Sequence, residues 1–256
     1  MDNVLFLWPA AINVLVTGLF AGVLLRQYLR RQRLSQLYWL LALTMAFVAT
    51  LAYMGMLEWR PTSAGGIFLF RLYYILGASL MPAWLGLGSL ALLTPKRVSL
   101  WCGGVLAACS FLAAYLIFYA TIDLRRLSQI AGTPGTGILA PGAWLVSTII
   151  LNTLGVVLVV AVALYSGWKL WHQQKDLAGL GTSTILWANI LILSGALLDA
   201  SAGSFARLLN LQSDFWLIMA VGWIILFAGV LLAGRRSQRL ATASRQEIES
   251  WQAVKI

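Results

Sequence analysis

A largely apolar chain can do chemistry only through its few polar side chains, and in this one they are easily counted. Two ionisable residues lie within the long apolar stretches, Arg71 and Asp199. A charge inside a bilayer is costly, so it pairs or faces a cavity, and it is by default a candidate for function. Arg71 falls near one end of the third apolar block and Asp199 at similar depth in the sixth. An Arg71–Asp199 ion pair locking the two helices is therefore expected, with Arg207 on the Asp199 face as an alternative partner. The other reading is a ligand or ion site lined by Arg71, Tyr74 and Asp199. Gly195 and Gly203 flank Asp199 four residues before and after, which gives a smooth face for close helix approach. Asn152 shares a face of the fifth block with Thr148 and Gly155. It is expected to hydrogen-bond across helices, with ligand contact as the alternative. Pro82 takes the helical donor away from the Ala78 carbonyl and should kink the third helix.

Missing residues exclude several chemistries. His172 is the only histidine, so bis-histidine haem ligation within the chain is ruled out, and a Ser–His catalytic pair is not expected. The last apolar block has no lysine for a retinal Schiff base. One intramembrane aspartate cannot form a protease dyad. No metal cluster or phosphate loop is evident. Cys102 and Cys109, seven residues apart in one block, are two helical turns apart and read as small hydrophobes. A non-enzyme without a cofactor is expected.

The elements that must position these residues follow from composition. Of the 256 residues, 61% are hydrophobic and 10% charged, against roughly 25% charged in a soluble domain. Apolar blocks run over about Val4–Leu25, Leu37–Leu57, Ile67–Leu93, Leu100–Ala120, Ala143–Leu164, Ser183–Ala202 and Phe215–Ala233. Each has the roughly 20 residues that an α-helix needs to cross a bilayer. The expected fold is all-α: an integral membrane bundle of seven transmembrane helices over residues 1–234, then a short basic tail over 235–256. Of the 18 Lys and Arg, 13 fall on the side that carries the tail and 5 on the other. The positive-inside rule then places the N-terminus outside and the C-terminus in the cytoplasm of a multi-pass cell-membrane protein. The first block lacks a basic start and precedes "RQYLRRQR", so it reads as a retained anchor. The net charge of +10 lies wholly on the cytoplasmic face, which suits anionic lipids and not nucleic acid.

Trp8, Trp59, Trp144 and Trp216 are expected at the outer interface and Tyr38, Trp168 and Trp171 at the inner one, with Trp84 and Trp223 inside the bundle. The longest connection, Thr121 to Pro141, carries "AGTPGTG" and is either a plain connector or a cover for a pocket mouth. Leu240, Ile248, Trp251 and Val254 form a modest amphipathic stripe in the tail.

The stretches "YWLLALTMAFVATLAYMGMLE" and "FRLYYILGASLMPAWLGLGSLALLTPKR" resemble the seven-helix sensory region that precedes some bacterial histidine kinases, and related stand-alone seven-helix bacterial proteins. The likeness lies in an arginine at the start of the third helix and a proline about ten residues on, ahead of a polar turn. It covers about a quarter of the chain. It implies a sensor or receptor-like module that binds a small or lipidic ligand from the outer side and acts through a protein partner, since the tail is too short to be an output domain. A small transporter or channel, or a structural subunit of a larger membrane complex, are the alternatives. A sensor predicts an outward pocket, a transporter a polar path to both faces, and a structural subunit a dry core.

Overall fold

A computed structural model describes the backbone of residues 3–173, 182–208 and 214–232, with side chains over 7–169, 187–203 and 214–232. The side chains of His172, Trp171 and Arg207, and the whole tail stripe, lie outside the described residues.

The third apolar block is interrupted. It folds as α3 (Ala64–Tyr73), a π-helical stretch (Tyr74–Leu80) and α4 (Met81–Leu90). Pro82 is the cause: it lacks an N–H, and the helix widens just before it. Around this irregular helix stand α1 (Asn3–Arg31), α2 (Leu34–Glu58), α5 (Lys96–Phe118), α7 (Ala143–Gln173) and α8 (Thr182–Leu208). A short α6 (Leu124–Leu127) sits in the long connection, and α9 spans Phe215–Leu232. Among the described residues there is no strand, only an isolated bridge between Ile122 and Leu139.

Among the described residues, six helical spans are long and apolar enough to cross a membrane, with α3, the π segment and α4 counted as one; the described apolar part of α8, Trp187–Gly203, is shorter. The protein is a multi-pass helical membrane bundle. Its surface agrees: Trp101, Phe111, Leu112 and Tyr115 of α5 are exposed, a contiguous apolar face that suits lipid and not water.

With apolar atoms on both sides of the helices, packing and not hydrophobicity selects the neighbours. α2 lies at the centre, against α1, α3, the π segment and α4, while α4 packs on α7 and α7 on α8. The α4–α7 crossing needs two glycines: a Cβ on Gly86 would sit 2.6 Å from the Gly155 carbonyl oxygen, and one on Gly155 2.7 Å from the Ala83 nitrogen. Gly195 and Gly229 do the same between α8 and α9, where added Cβ atoms would lie 2.5 Å from the Leu226 nitrogen and 2.9 Å from the Ala188 oxygen.

Two cores result. One lies toward the basic end, where α1 finishes at Arg30 and Arg31 and α5 starts at Lys96 and Arg97. It gathers Phe20, Leu24, Tyr38, Leu43, Trp84 and Leu87. The other lies toward the opposite, loop end and is aromatic: Tyr53, Phe70, Tyr73, Tyr74, Trp144 and Trp216, joined by Leu127, Ile130 and Ile138 of the long loop.

The aromatic belts divide accordingly. Trp8 and Trp59 are 63% and 68% exposed, as interfacial anchors should be, and Trp168 is exposed too. Trp144 and Trp216 are 5% and 3% exposed and belong to the interior, beside the expected Trp223. Tyr38 is also buried and donates to the Ser99 carbonyl at 3.0 Å, while Trp84 donates to Ser110 Oγ at 3.2 Å. The polar atoms of Tyr38 and Trp84 found partners inside the bundle, so these two do not need the water interface.

Candidate functional site

The aromatic core at the loop end does not close. A cavity of about 530 Å³ opens within it, bounded by α2, the π segment, α4, α7, α8 and α9. That volume lies in the range of small-molecule sites, roughly 300–1,000 Å³.

The π segment shapes one wall. Widening the helix lets Tyr73 and Tyr74, consecutive in sequence, both line the cavity, with Gly77 and Ala78 beneath them. Trp144 of α7 meets Tyr74 edge-on with ring centroids 5.4 Å apart. Trp216 of α9 packs on Tyr53 at 4.4 Å and on Tyr73 at 6.0 Å. Asn13 of α1 holds that corner: its Nδ2 donates to the carbonyls of Pro9 and Trp216, both at 2.8 Å.

The roof comes from the long loop. Pro134 and Thr136 line the cavity from above. Tyr73 donates its hydroxyl to the Pro134 carbonyl at 3.2 Å, Tyr53 to Ile130 at 3.1 Å, and Trp144 its indole N–H to Ala140 at 2.7 Å. Within the loop, Asp123 caps α6 and pairs with Arg126 at 3.4 Å, and Arg126 donates to the Gly137 carbonyl at 3.1 Å. With Leu127, Ile130, Ile138 and Leu139 buried beneath it, this segment is a built cap and not a plain connector.

The polar wall answers the question of the predicted residues. Asn152 Nδ2 donates to the Ala78 carbonyl at 2.8 Å, the same group that Pro82 deprives of its α-helical donor. Asn152 is thus a cross-helix bond and a cavity-lining residue at once, because its Oδ1 is buried without a partner among the described residues. Thr148 donates to Ser79 Oγ at 3.2 Å, and Thr50 to the Ala46 carbonyl at 2.9 Å.

The expected Arg71–Asp199 pair does not form. Arg71 turns away from the cavity to the end of α5, where its Nη2 donates to the Ala120 carbonyl at 3.4 Å and its Cζ lies 5.0 Å from the centre of the Phe118 ring. A cation there complements the negative end of the helix dipole. Asp199 lines the cavity; both carboxylate oxygens are withdrawn from solvent and have no hydrogen-bond partner among the described residues. It packs on Gly222 of α9, where any Cβ would overlap the carboxylate. Of the four predicted site residues, Tyr74, Asn152 and Asp199 share the cavity and Arg71 does not.

Thr50, Tyr73, Trp144 and Trp216, also on the wall, were not singled out as site residues from the sequence, whereas the roof answers to the pocket-cover alternative for the Thr121–Pro141 connection. Tyr73 was signalled by its neighbour Tyr74, since consecutive helical residues can share one wide buried face. The cavity also reaches the bundle surface. Ile149, Thr153 and Val157 of α7 and Ala200 of α8 line it and are themselves exposed, so it has a lateral mouth between α7 and α8. Gly203, at that edge of α8, has no neighbour within 4 Å of its Cβ position. Among the described residues no group of His, Cys, Asp or Glu side chains could hold a metal ion.

No family model matches this chain, and neither a curated protein nor a solved structure matches it.

Proposed function

We propose that this chain is a non-enzymatic seven-helix sensor or receptor-like module of the cell membrane, which takes a small or lipidic ligand into the capped cavity and acts through a protein partner. The observation that carries this reading is a roofed cavity of about 530 Å³ confined to one part of the bundle. Its lining residues belong to the loop end and the middle; the core at the basic end contributes Ala46, Met81 and Trp223, while Phe20, Leu24, Leu43 and Leu87 do not line it. A binding pocket needs that closure, whereas a transport path needs a polar route to both faces.

Seven crossings fit the connectivity. α7 starts beside the roof at Trp144 and α9 starts beside it at Trp216. The chain must therefore return between them, and α8, at 27 residues, is about 40 Å long, enough to span. With the positive residues toward the cytoplasm, the loop end faces outside. Ligand in the cavity then touches Asp199, and through it Gly222 of α9, the helix that leads to the basic cytoplasmic tail.

Two measurements test this. In a variant with Cys102 and Cys109 replaced by Ala, a cysteine at Thr133 should be labelled by an impermeant maleimide on intact cells, and one at Gln32 only after permeabilisation. Purification from native membranes in mild detergent should retain a protein partner and a bound small or lipidic molecule. Catalysed solute uptake or ion conductance in reconstituted vesicles, above protein-free controls, would refute the sensor reading.

A further inference from the structure

Four side-chain atoms on the cavity wall are left without partners among the described residues: three acceptors and one donor, the Trp216 indole Nε1. Asp199 Oδ1, Asp199 Oδ2 and Asn152 Oδ1 are hydrogen-bond acceptors, buried and unpaired among the described residues. The donors beside them are engaged: Asn152 Nδ2 is on Ala78 and the Thr148 and Thr50 hydroxyls are on Ser79 and Ala46. Buried polar groups are normally satisfied, so three unpaired acceptors on the wall of one cavity point to a ligand that brings donors. The one acidic or basic residue (Asp, Glu, His, Lys or Arg) among the lining residues is Asp199, and an unpaired carboxylate in an apolar cavity favours a cation. The remaining wall, with Tyr73, Tyr74, Trp144, Trp216 and Trp223, is the surface on which cations are held over aromatic faces. The mouth between α7 and α8 is different. Ile149, Val157 and Ala200 make it apolar and exposed on the flank of the bundle, where lipid chains lie.

We propose that the cavity binds an amphiphilic primary amine, its ammonium head on Asp199 and Asn152 against the aromatic wall and its alkyl chain leaving between α7 and α8 into the bilayer. This rests on the reading of the cavity as a ligand site. A primary ammonium offers three N–H donors to the three acceptors, while a trimethylammonium head offers none. Entry from the membrane also explains how a ligand passes a roof pinned at Pro134 and Ile130.

The test uses the full chain in lipid nanodiscs and the intrinsic fluorescence of the cavity tryptophans. Octylammonium, octyltrimethylammonium and octanol are titrated against the parent, Asp199→Asn and Thr153→Trp. Octylammonium should give a saturable change in the parent, with octanol and the trimethyl head weaker by about tenfold or more, the scale of hydrogen bonds to a charged group. Asp199→Asn should weaken octylammonium by about the same factor and leave octanol unchanged. Thr153→Trp, at an exposed position in the mouth, should slow or abolish binding of all three. Equal binding of octanol and octylammonium, or no loss in Asp199→Asn, overturns the amine assignment while leaving a ligand pocket in place. Normal binding kinetics in Thr153→Trp overturns lateral entry. Absence of saturable binding by every probe overturns the pocket reading together with the amine.

Discussion

The bond from Asn152 to Ala78 offers a sharp test of how this bundle is held. Pro82 has no N–H to give the Ala78 carbonyl, and Asn152 Nδ2 of α7 donates to it across the interface with the π segment at 2.8 Å. Asn152→Leu removes that donor while keeping the volume. Interhelical hydrogen bonds in membranes average about 0.6 kcal/mol with a maximum near 1.7. A carbonyl left with a missing donor lies toward the upper part of that range, so we expect a loss of about 1–1.5 kcal/mol. In a Pro82→Ala background residue 82 regains its N–H, and Ala78 can be served within its own helix. There Asn152→Leu should cost about 0.5 kcal/mol or less. The loss of the unpaired Asn152 Oδ1 occurs in both backgrounds and cancels in the cycle. Denaturation in mixed sodium dodecyl sulfate and mild detergent, followed by far-ultraviolet circular dichroism, gives the four stabilities. An equal cost of Asn152→Leu in both backgrounds would refute the argument that Asn152 compensates for the proline.

Asp199→Asn should leave stability unchanged within about 0.5 kcal/mol or raise it, because a buried carboxylate with no partner among the described residues is lost; breaking a buried ion pair would instead cost about 3–5 kcal/mol. Arg71→Gln, which loses only a long bond and a ring contact, should cost about 1 kcal/mol or less, and the two changes should be additive in the same denaturation assay. Gly155→Ala places a methyl group against the backbone of Pro82 and Ala83 and should cost at least about 2 kcal/mol. Gly104→Ala, with open space around its Cβ position on α5, should be neutral or slightly stabilising in parallel melts. Tyr53→Phe and Tyr73→Phe each remove one pin of the roof, worth about 1 kcal/mol. Trypsin should then cut at exposed Arg125 or Arg126 about fivefold faster, with the parent rate in either variant counting against a pinned cap.

The sequence by itself determined the membrane bundle and where its apolar helices lie, because a bilayer demands long apolar runs and these are countable, though α1 and α7 run on past their apolar blocks to Arg31 and Gln173. It also pointed to Tyr74, Asn152 and Asp199, since a polar group among so many apolar ones is conspicuous. It did not determine which apolar face looks inward. In a membrane helix both faces are hydrophobic, so the periodicity that separates core from surface in a soluble protein is absent. For that reason Trp144, Trp216 and Tyr38 read as interface anchors and proved to be buried. The Arg71–Asp199 pair failed for a related reason: similar depth does not fix rotation about the helix axis. Only the tertiary structure decided that rotation, through the π-helical widening before Pro82 and the glycine crossings at Gly86, Gly155 and Gly195. These backbone contacts set the helix neighbours, turned Arg71 to the end of α5, and left Asp199 without a partner among the described residues, in the wall of a cavity that hydropathy cannot register.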